Sequence, residues 1–70
     1  MEDLTKSDER VIRKKTVLAK CGLANSTMYK KIKEGTFPKP IKIGIRSVGW
    51  VESEVDDWIR RCIHESRRGI

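Results

Sequence analysis

The residues that could do chemistry in this 70-residue chain are donors and acceptors of hydrogen bonds beside fixed positive charge. Asn25, Ser26 and Thr27 bring an amide and two hydroxyls within three positions, and Lys30, Lys31 and Lys33 follow directly. Met28 and Ile32 stand four apart, so on a helix over residues 26–34 they share a face and can dock on a core. The lysines then project mostly from other faces. A short helix that is apolar on one side and basic elsewhere needs an anionic partner more than it needs its neighbours. Its size and charge fit the major groove of a DNA duplex. They also fit a solvated basic surface helix, and the residues alone leave both readings open.

Bond-making chemistry finds little support. Ser26, Ser47, Ser53 and Ser66 have no set of partners for nucleophilic catalysis. Asp56 and Asp57 are consecutive, so on a helix they diverge by about 100°. His64 is the only histidine; with Cys21 and Cys62 it falls short of the four closely spaced ligands of a structural zinc site. No glycine-rich loop is present to cradle a phosphate. The expectation is therefore no enzyme, no metal, no cofactor and no small-molecule substrate. Trp50 and Trp58 fall at inward positions, which argues against a binder of single strands, since such proteins expose aromatic platforms. Tyr29 is ambiguous: it can pack at the helix edge, and its hydroxyl can reach a phosphate.

The charge is unevenly placed. The net charge is +6, but residues 10–46 hold eleven Lys and Arg against Glu34 alone. Residues 1–9 and 47–70 are each net negative. Positive charge so concentrated favours a polyanion rather than mere solubility. Seventy residues make one small domain, with no room for a large catalytic cleft. The polar, acidic start is not a signal peptide, and no apolar run approaches a membrane span. Cys21 and Cys62, each on the apolar face of a helical pattern, are expected to be buried free thiols. A cytoplasmic protein of bacterial or phage type fits these features.

The elements that must position the polar residues follow from the pattern. Residues 1–10 lack apolar periodicity and read as a flexible leader, and residues 11–68 as the domain. Val11 and Ile12 form a short extended lead-in touching the domain. Arg13, Lys14 and Lys15 either grip phosphates or form a solvated basic arm. Thr16 can cap a first helix carrying Val17, Leu18 and Cys21, which Gly22 ends. Leu23, in the turn, enters the core between two helices, giving helix, glycine-containing turn, helix. Phe37, Pro38, Lys39 and Pro40 force an extended path. Residues 41–43 and 47–50 then alternate around Gly44, Ile45 and Arg46 as a hairpin, with Ile41, Ile43, Val48 and Trp50 inward and Lys42 and Arg46 exposed. Ser53 and Asp56 loosely match a capping box, and Val55, Trp58, Ile59 and Cys62 make the clearest amphipathic stripe. Gly69 and Ile70 are expected to fray. The fold class expected is mainly α with a small β-hairpin, a winged helix-turn-helix: two short helices, a hairpin wing and a C-terminal helix.

The order of these features resembles the AlpA family of small phage and genomic-island regulators. The shared pattern is carried by Gly22-Leu23, Ser26-Thr27, Tyr29, Gly35, Phe37-Pro38, Pro40, Ile43-Gly44, Arg46-Ser47-Val48, Trp50, Glu54-Val55 and Trp58-Ile59. The resemblance covers about residues 12–63. More distantly the chain is similar to excisionases and the MerR-like group. The resemblance implies a winged helix-turn-helix on double-stranded DNA, the second helix in the major groove and the wing on the backbone or minor groove. Asn25, Ser26, Thr27 and Lys30 would then read bases, while Tyr29, Lys31, Lys39, Lys42 and Arg46 would hold phosphates, Arg46 being also able to enter the minor groove, with Arg13, Lys14 and Lys15 as weaker contacts. Ala24 replaces the family's usual serine and cannot cap, so Asn25 or Ser26 must start the second helix. Asn25 and Lys30 stand where the family often has a basic residue and arginine. Asn can read adenine with two hydrogen bonds, which implies a different target sequence. Two roles share this fold: a transcriptional regulator at a promoter, and a recombination directionality factor, or excisionase, at an attachment site, with an integrase or neighbouring copies as further partners. A protein-interaction adaptor that inhibits a host regulator or integrase without binding DNA is the alternative.

Overall fold

The structure is a computed structural model that describes residues 9–68. The expected leader, but for Glu9 and Arg10, and the expected frayed end at Gly69 and Ile70 lie outside these residues. Three helices pack with a small antiparallel sheet. The elements are β1 (Val11–Ile12), α1 (Lys14–Cys21), α2 (Asn25–Glu34), β2 (Ile41–Lys42), β3 (Val48–Val51) and α3 (Glu52–Arg68). In the sheet the strands run in the order β1-β3-β2.

The lead-in at Val11 and Ile12 is thus a strand. Val11 pairs with Val51 and Ile12 with Trp50. Pairing continues into the leader, where the Glu52 amide donates to the Arg10 carbonyl at 2.7 Å and the Ser53 hydroxyl to Glu9 Oε1 at 2.7 Å. Glu9 and Arg10 are therefore tied to the start of α3 rather than loose.

α1 begins two residues before Thr16. Arg13 takes the N-cap position with extended backbone, and the first helical bond runs from the Val17 amide to the Arg13 carbonyl at 3.0 Å. Thr16 is inside the helix because the chain turns helical directly off β1, leaving no room for a later cap. Gly22 closes α1 at φ 67°, a left-handed conformation that glycine adopts without strain. The amides of Gly22 and Leu23 both donate to the Leu18 carbonyl, at 2.8 and 3.2 Å. Three residues later α2 starts at Asn25, with Ala24 in the N-cap position and no side-chain cap. Gly35, at φ 82°, ends α2, and Thr36 bonds back to the Lys31 carbonyl through both its amide (2.9 Å) and its hydroxyl (3.2 Å).

The core consists of Ile12, Val17, Met28, Phe37, Trp50 and Val55, with Leu23 and Ile32 among the side chains packed against it. Both tryptophans are inward, and each also straps the proline segment. Trp50 Nε1 donates to the Pro38 carbonyl at 3.1 Å, and Trp58 Nε1 to the Thr36 carbonyl at 2.7 Å. Phe37 meets the Trp58 ring edge-on, centroids 4.8 Å apart. Prolines remove amide donors here, so indole bonds to the carbonyls are what fix this path.

Other inward assignments fail. Ile41, Ile43 and Val48 are 40%, 43% and 38% exposed, and only Trp50 of the hairpin set is buried. The helices cover one face of the sheet. Ile41 lies opposite Gly49, on the other face from Trp50, and Val48 sits at the open end of β3. Ser53 does not cap α3, because the helix starts at Glu52 straight from β3. Nor are the thiols both buried: Cys21 is half-buried, Cys62 is exposed, and both are free. The α3 stripe reaches the core through Val55, Trp58 and Ile59, whereas residues 60–68 are all exposed.

Candidate nucleic-acid interface

The acids of α3 neutralise one set of cations. Lys20 Nζ lies 3.1 Å from Glu52 and 2.9 Å from Asp56, Arg10 lies 3.8 Å from Glu52, and Arg60 and Arg68 pair with Asp57 and Glu65 one turn away. The hydrogen bonds to Asp56 and then Glu52 hold the Lys20 ammonium above its usual pKa of 10.5. Burial pushes the Cys21 thiol up from 9.0, so this sulfur is a poor nucleophile.

Before α3, a second set of cations meets no carboxylate among the described residues: Arg13, Lys14, Lys15, Lys30, Lys31, Lys33, Lys39, Lys42 and Arg46; on α3 itself Arg61 and Arg67 are likewise without one. The fold gathers several of them. Arg13, Lys14, Lys15, Tyr29, Arg46 and Val48 line one concavity of about 300 Å³. These residues come from the start of α1, the middle of α2, the β2–β3 loop and the first residue of β3. Lys14 Nζ sits 5.5 Å from the centre of the Tyr29 ring, a cation–π contact that orients both groups. The basic run is therefore no detached arm: Lys14 and Lys15 form the first turn of α1, and Arg13 precedes it.

On α2, Met28 is fully buried and Ile32 half-buried. The opposite face carries Ser26 and Lys30, with Lys33 at i+7 from Ser26, all exposed. Asn25 and Thr27 are exposed in the first turn. Lys31 is only half-exposed, at the edge of the packed face, so Lys33 presents its charge more freely. Lys33 lies outside the contact set expected from the sequence, although its i, i+7 relation to Ser26 places it on that face. Tyr29 is 43% exposed and faces the concavity. Lys42, opposite Val48 in register, adjoins it. Lys39 does not join this group; it lines a separate open groove with Glu54, Asp57 and Arg61 of α3.

The helix ends add to the pattern. Neither α1 nor α2 has an acid in its first turn or a side-chain cap, whereas α3 carries Glu52 and Glu54 there. First-turn amides without an internal partner carry partial positive charge. Chemically, the arrangement offers ammonium, guanidinium, phenol and amide donors on one side of the molecule, with carboxylates concentrated along α3. Among the described residues no group of His, Cys, Asp and Glu is placed to hold a metal ion, and no helix is long and apolar enough to cross a membrane.

A family profile described as "Prophage CP4-57 regulatory protein (AlpA)" matches residues 10–63. The chain belongs to the AlpA family. Its AlpA-family span runs from Arg10, just before β1, through Ile63 in α3, so it takes in every element that contributes to the core. Among AlpA-like relatives, the chain is 38% identical over 64 residues to the DNA-binding transcriptional activator AlpA of Escherichia coli K12, covering 81% of this chain and 91% of that protein. It is also 38% identical over 69 residues to an uncharacterized protein, ORF88, of Enterobacteria phage P4, covering 99% of this chain and 76% of that protein. No solved structure matches it significantly.

Proposed function

We propose that this AlpA-family protein is a sequence-specific binder of double-stranded DNA that acts as a regulator of a prophage or genomic island. In this reading α1 and α2, joined by the three-residue turn, are a helix-turn-helix, and the sheet with its β2–β3 loop is the wing. α2 enters the major groove with Asn25, Ser26, Thr27 and Lys30 toward the base edges. Lys33 joins them from the same face. Tyr29, Lys31 and Lys42 hold phosphates, together with Arg13, Lys14 and Lys15, and Arg46 holds the backbone at the edge of the minor groove, which it can enter; Lys39, on the other groove, is the most peripheral member of the set.

The observation that carries the reading is the acid-free concavity where Arg13, Lys14, Lys15, Tyr29 and Arg46 converge from three separate parts of the chain. A solvated basic surface gives no reason for cations to gather against their mutual repulsion, whereas a phosphate backbone does. The uncapped, acid-free starts of α1 and α2 suit phosphate oxygens for the same reason. The Escherichia coli relative, named a DNA-binding transcriptional activator, supports the same assignment.

The test is a footprint of the purified protein across its own gene, the nearest integrase gene and the attachment site. A single site or inverted pair over a promoter identifies a transcriptional regulator. Several phased sites inside the attachment region identify an excisionase, which the same fold serves. No protection at low salt overturns DNA binding and leaves the adaptor that works through protein contact alone.

A further inference from the structure

Ile45 is 95% exposed, more than any other large apolar side chain in the described residues. It sits at the tip of the β2–β3 loop, where water gains nothing from it and the core cannot reach it. The tip is held rather than trailing: the Ile43 amide donates to the Ser47 carbonyl at 2.9 Å and closes the loop at its base. A β-carbon placed on Gly44 would lie 3.4 Å from that of Ser47, so the two sides of the loop run close together and the tip is narrow. The next residue, Arg46, turns back to line the concavity with Lys14, Lys15 and Tyr29. One peptide unit therefore separates a guanidinium on the basic side of the molecule from an aliphatic group projecting beyond it.

We infer that Ile45 is an apolar wedge that enters the minor groove beside Arg46 and opens a base-pair step, so that the protein kinks the DNA it binds. The inference rests on the DNA-binding reading above and deepens it. Arginine is drawn to the negative potential of a narrow minor groove. An aliphatic side chain carried in with it cannot hydrogen-bond to base edges, and its favourable place is between partly unstacked bases, where it leaves water. A narrow, hydrogen-bonded loop tip is of a size to fit there, and the β-branched side chain is stiff enough to act as a wedge. Ile45 contacts no core residue, so its replacement leaves the fold intact and isolates its effect on DNA.

The experiment uses the full chain and duplexes retained by the wild-type protein from a random-sequence pool. The duplexes carry a donor and acceptor dye at their ends, and 2-aminopurine is placed at each step of the site in turn. The wild-type protein is expected to shorten the end-to-end distance and to brighten 2-aminopurine at one step outside the major-groove contacts of α2. Ile45→Ala is expected to abolish the bright step, reduce the bend and weaken binding by about tenfold, the worth of one buried aliphatic side chain. Ile45→Val, which keeps a β-branched aliphatic group at the tip, is expected to keep the bend. If Ile45→Ala bends the duplex and brightens 2-aminopurine as the wild type does, the wedge is overturned while DNA binding stands. If no duplex is retained even at low salt, the DNA-binding reading falls and the wedge with it.

Discussion

Asn25 occupies the first helical position of α2, exposed and with no side-chain cap from Ala24 ahead of it. An amide there can give and take one hydrogen bond each with adenine, a pairing that no single cation reproduces. Asn25→Ala is expected to cost about 1–3 kcal/mol on the preferred site and to relax selection at one base pair only. A binding selection repeated with the variant reads this directly, and an unchanged site preference would remove Asn25 from the reading set. Lys33→Ala, by contrast, is expected to weaken all sequences alike if it meets phosphate. Lys20 shows the opposite use of a lysine. Asp56 and Glu52 raise its pKa above 10.5, so its contribution to stability is fully present below pH 10.5 and is lost as pH rises through the higher folded-state value. Thermal melts of wild type and Lys20→Met should therefore differ at neutral pH and converge in strong alkali. A constant difference across that range would mean the ammonium charge is not what matters.

At the scale of elements, the join between β1 and the hairpin is close at Gly49. A β-carbon on Gly49 would fall 2.5 Å from Val11 Cγ1 and 3.1 Å from the Ile12 carbonyl oxygen. Gly49→Ala should push β1 off β3 and destabilise the fold by about 1–3 kcal/mol, the usual cost of overpacking. Val11→Ala in the same chain should recover part of that loss in a denaturant titration, since it removes the nearer clash. The helices were legible because their signals are local. Gly22 and Gly35 stop α1 and α2 at left-handed positions, and Met28 with Ile32 marks the packed face. The sheet was legible only in part. Alternation at Ile41, Ile43 and Val48 announces a strand but not which face is covered or how far along it, and here the cover reaches Trp50 but neither Ile41 on the other face nor Val48 at the open end. β1 is two residues long, too short for any period, and exists because Trp50 and Val51 offer it a partner far along the chain. The site was legible in composition rather than in arrangement. That Arg13, Lys14 and Lys15 meet Arg46 beside Tyr29 depends on contacts distant in sequence, and the same is true of Lys39 falling elsewhere.

At the scale of the whole molecule, the described residues hold most of their carboxylates along α3 and most of their cations that lack a carboxylate partner before it, on α1, α2 and the β2–β3 hairpin. If about six cations displace counterions from a duplex, the logarithm of the binding constant should fall against the logarithm of salt with a slope near −5. Filter binding over a range of salt measures it, and a slope near zero would rule out phosphate contact as the main source of affinity. The sequence's basic middle predicts this slope, but not the ion pairs that hold Arg10 and Lys20 against α3 and so remove them from the count. The exposed second half of α3 has a different consequence. Residues 60–68 are helical yet all exposed, while Val55, about one and a half turns before Arg60, has no exposure at all. One unbroken helix therefore spans two regimes of hydrogen exchange. Amides up to Ile59 should open only with the whole domain, and those beyond it by fraying from the end. The edge of the cooperative unit thus lies within a helix rather than in a loop, where a boundary drawn from secondary structure alone would not put it.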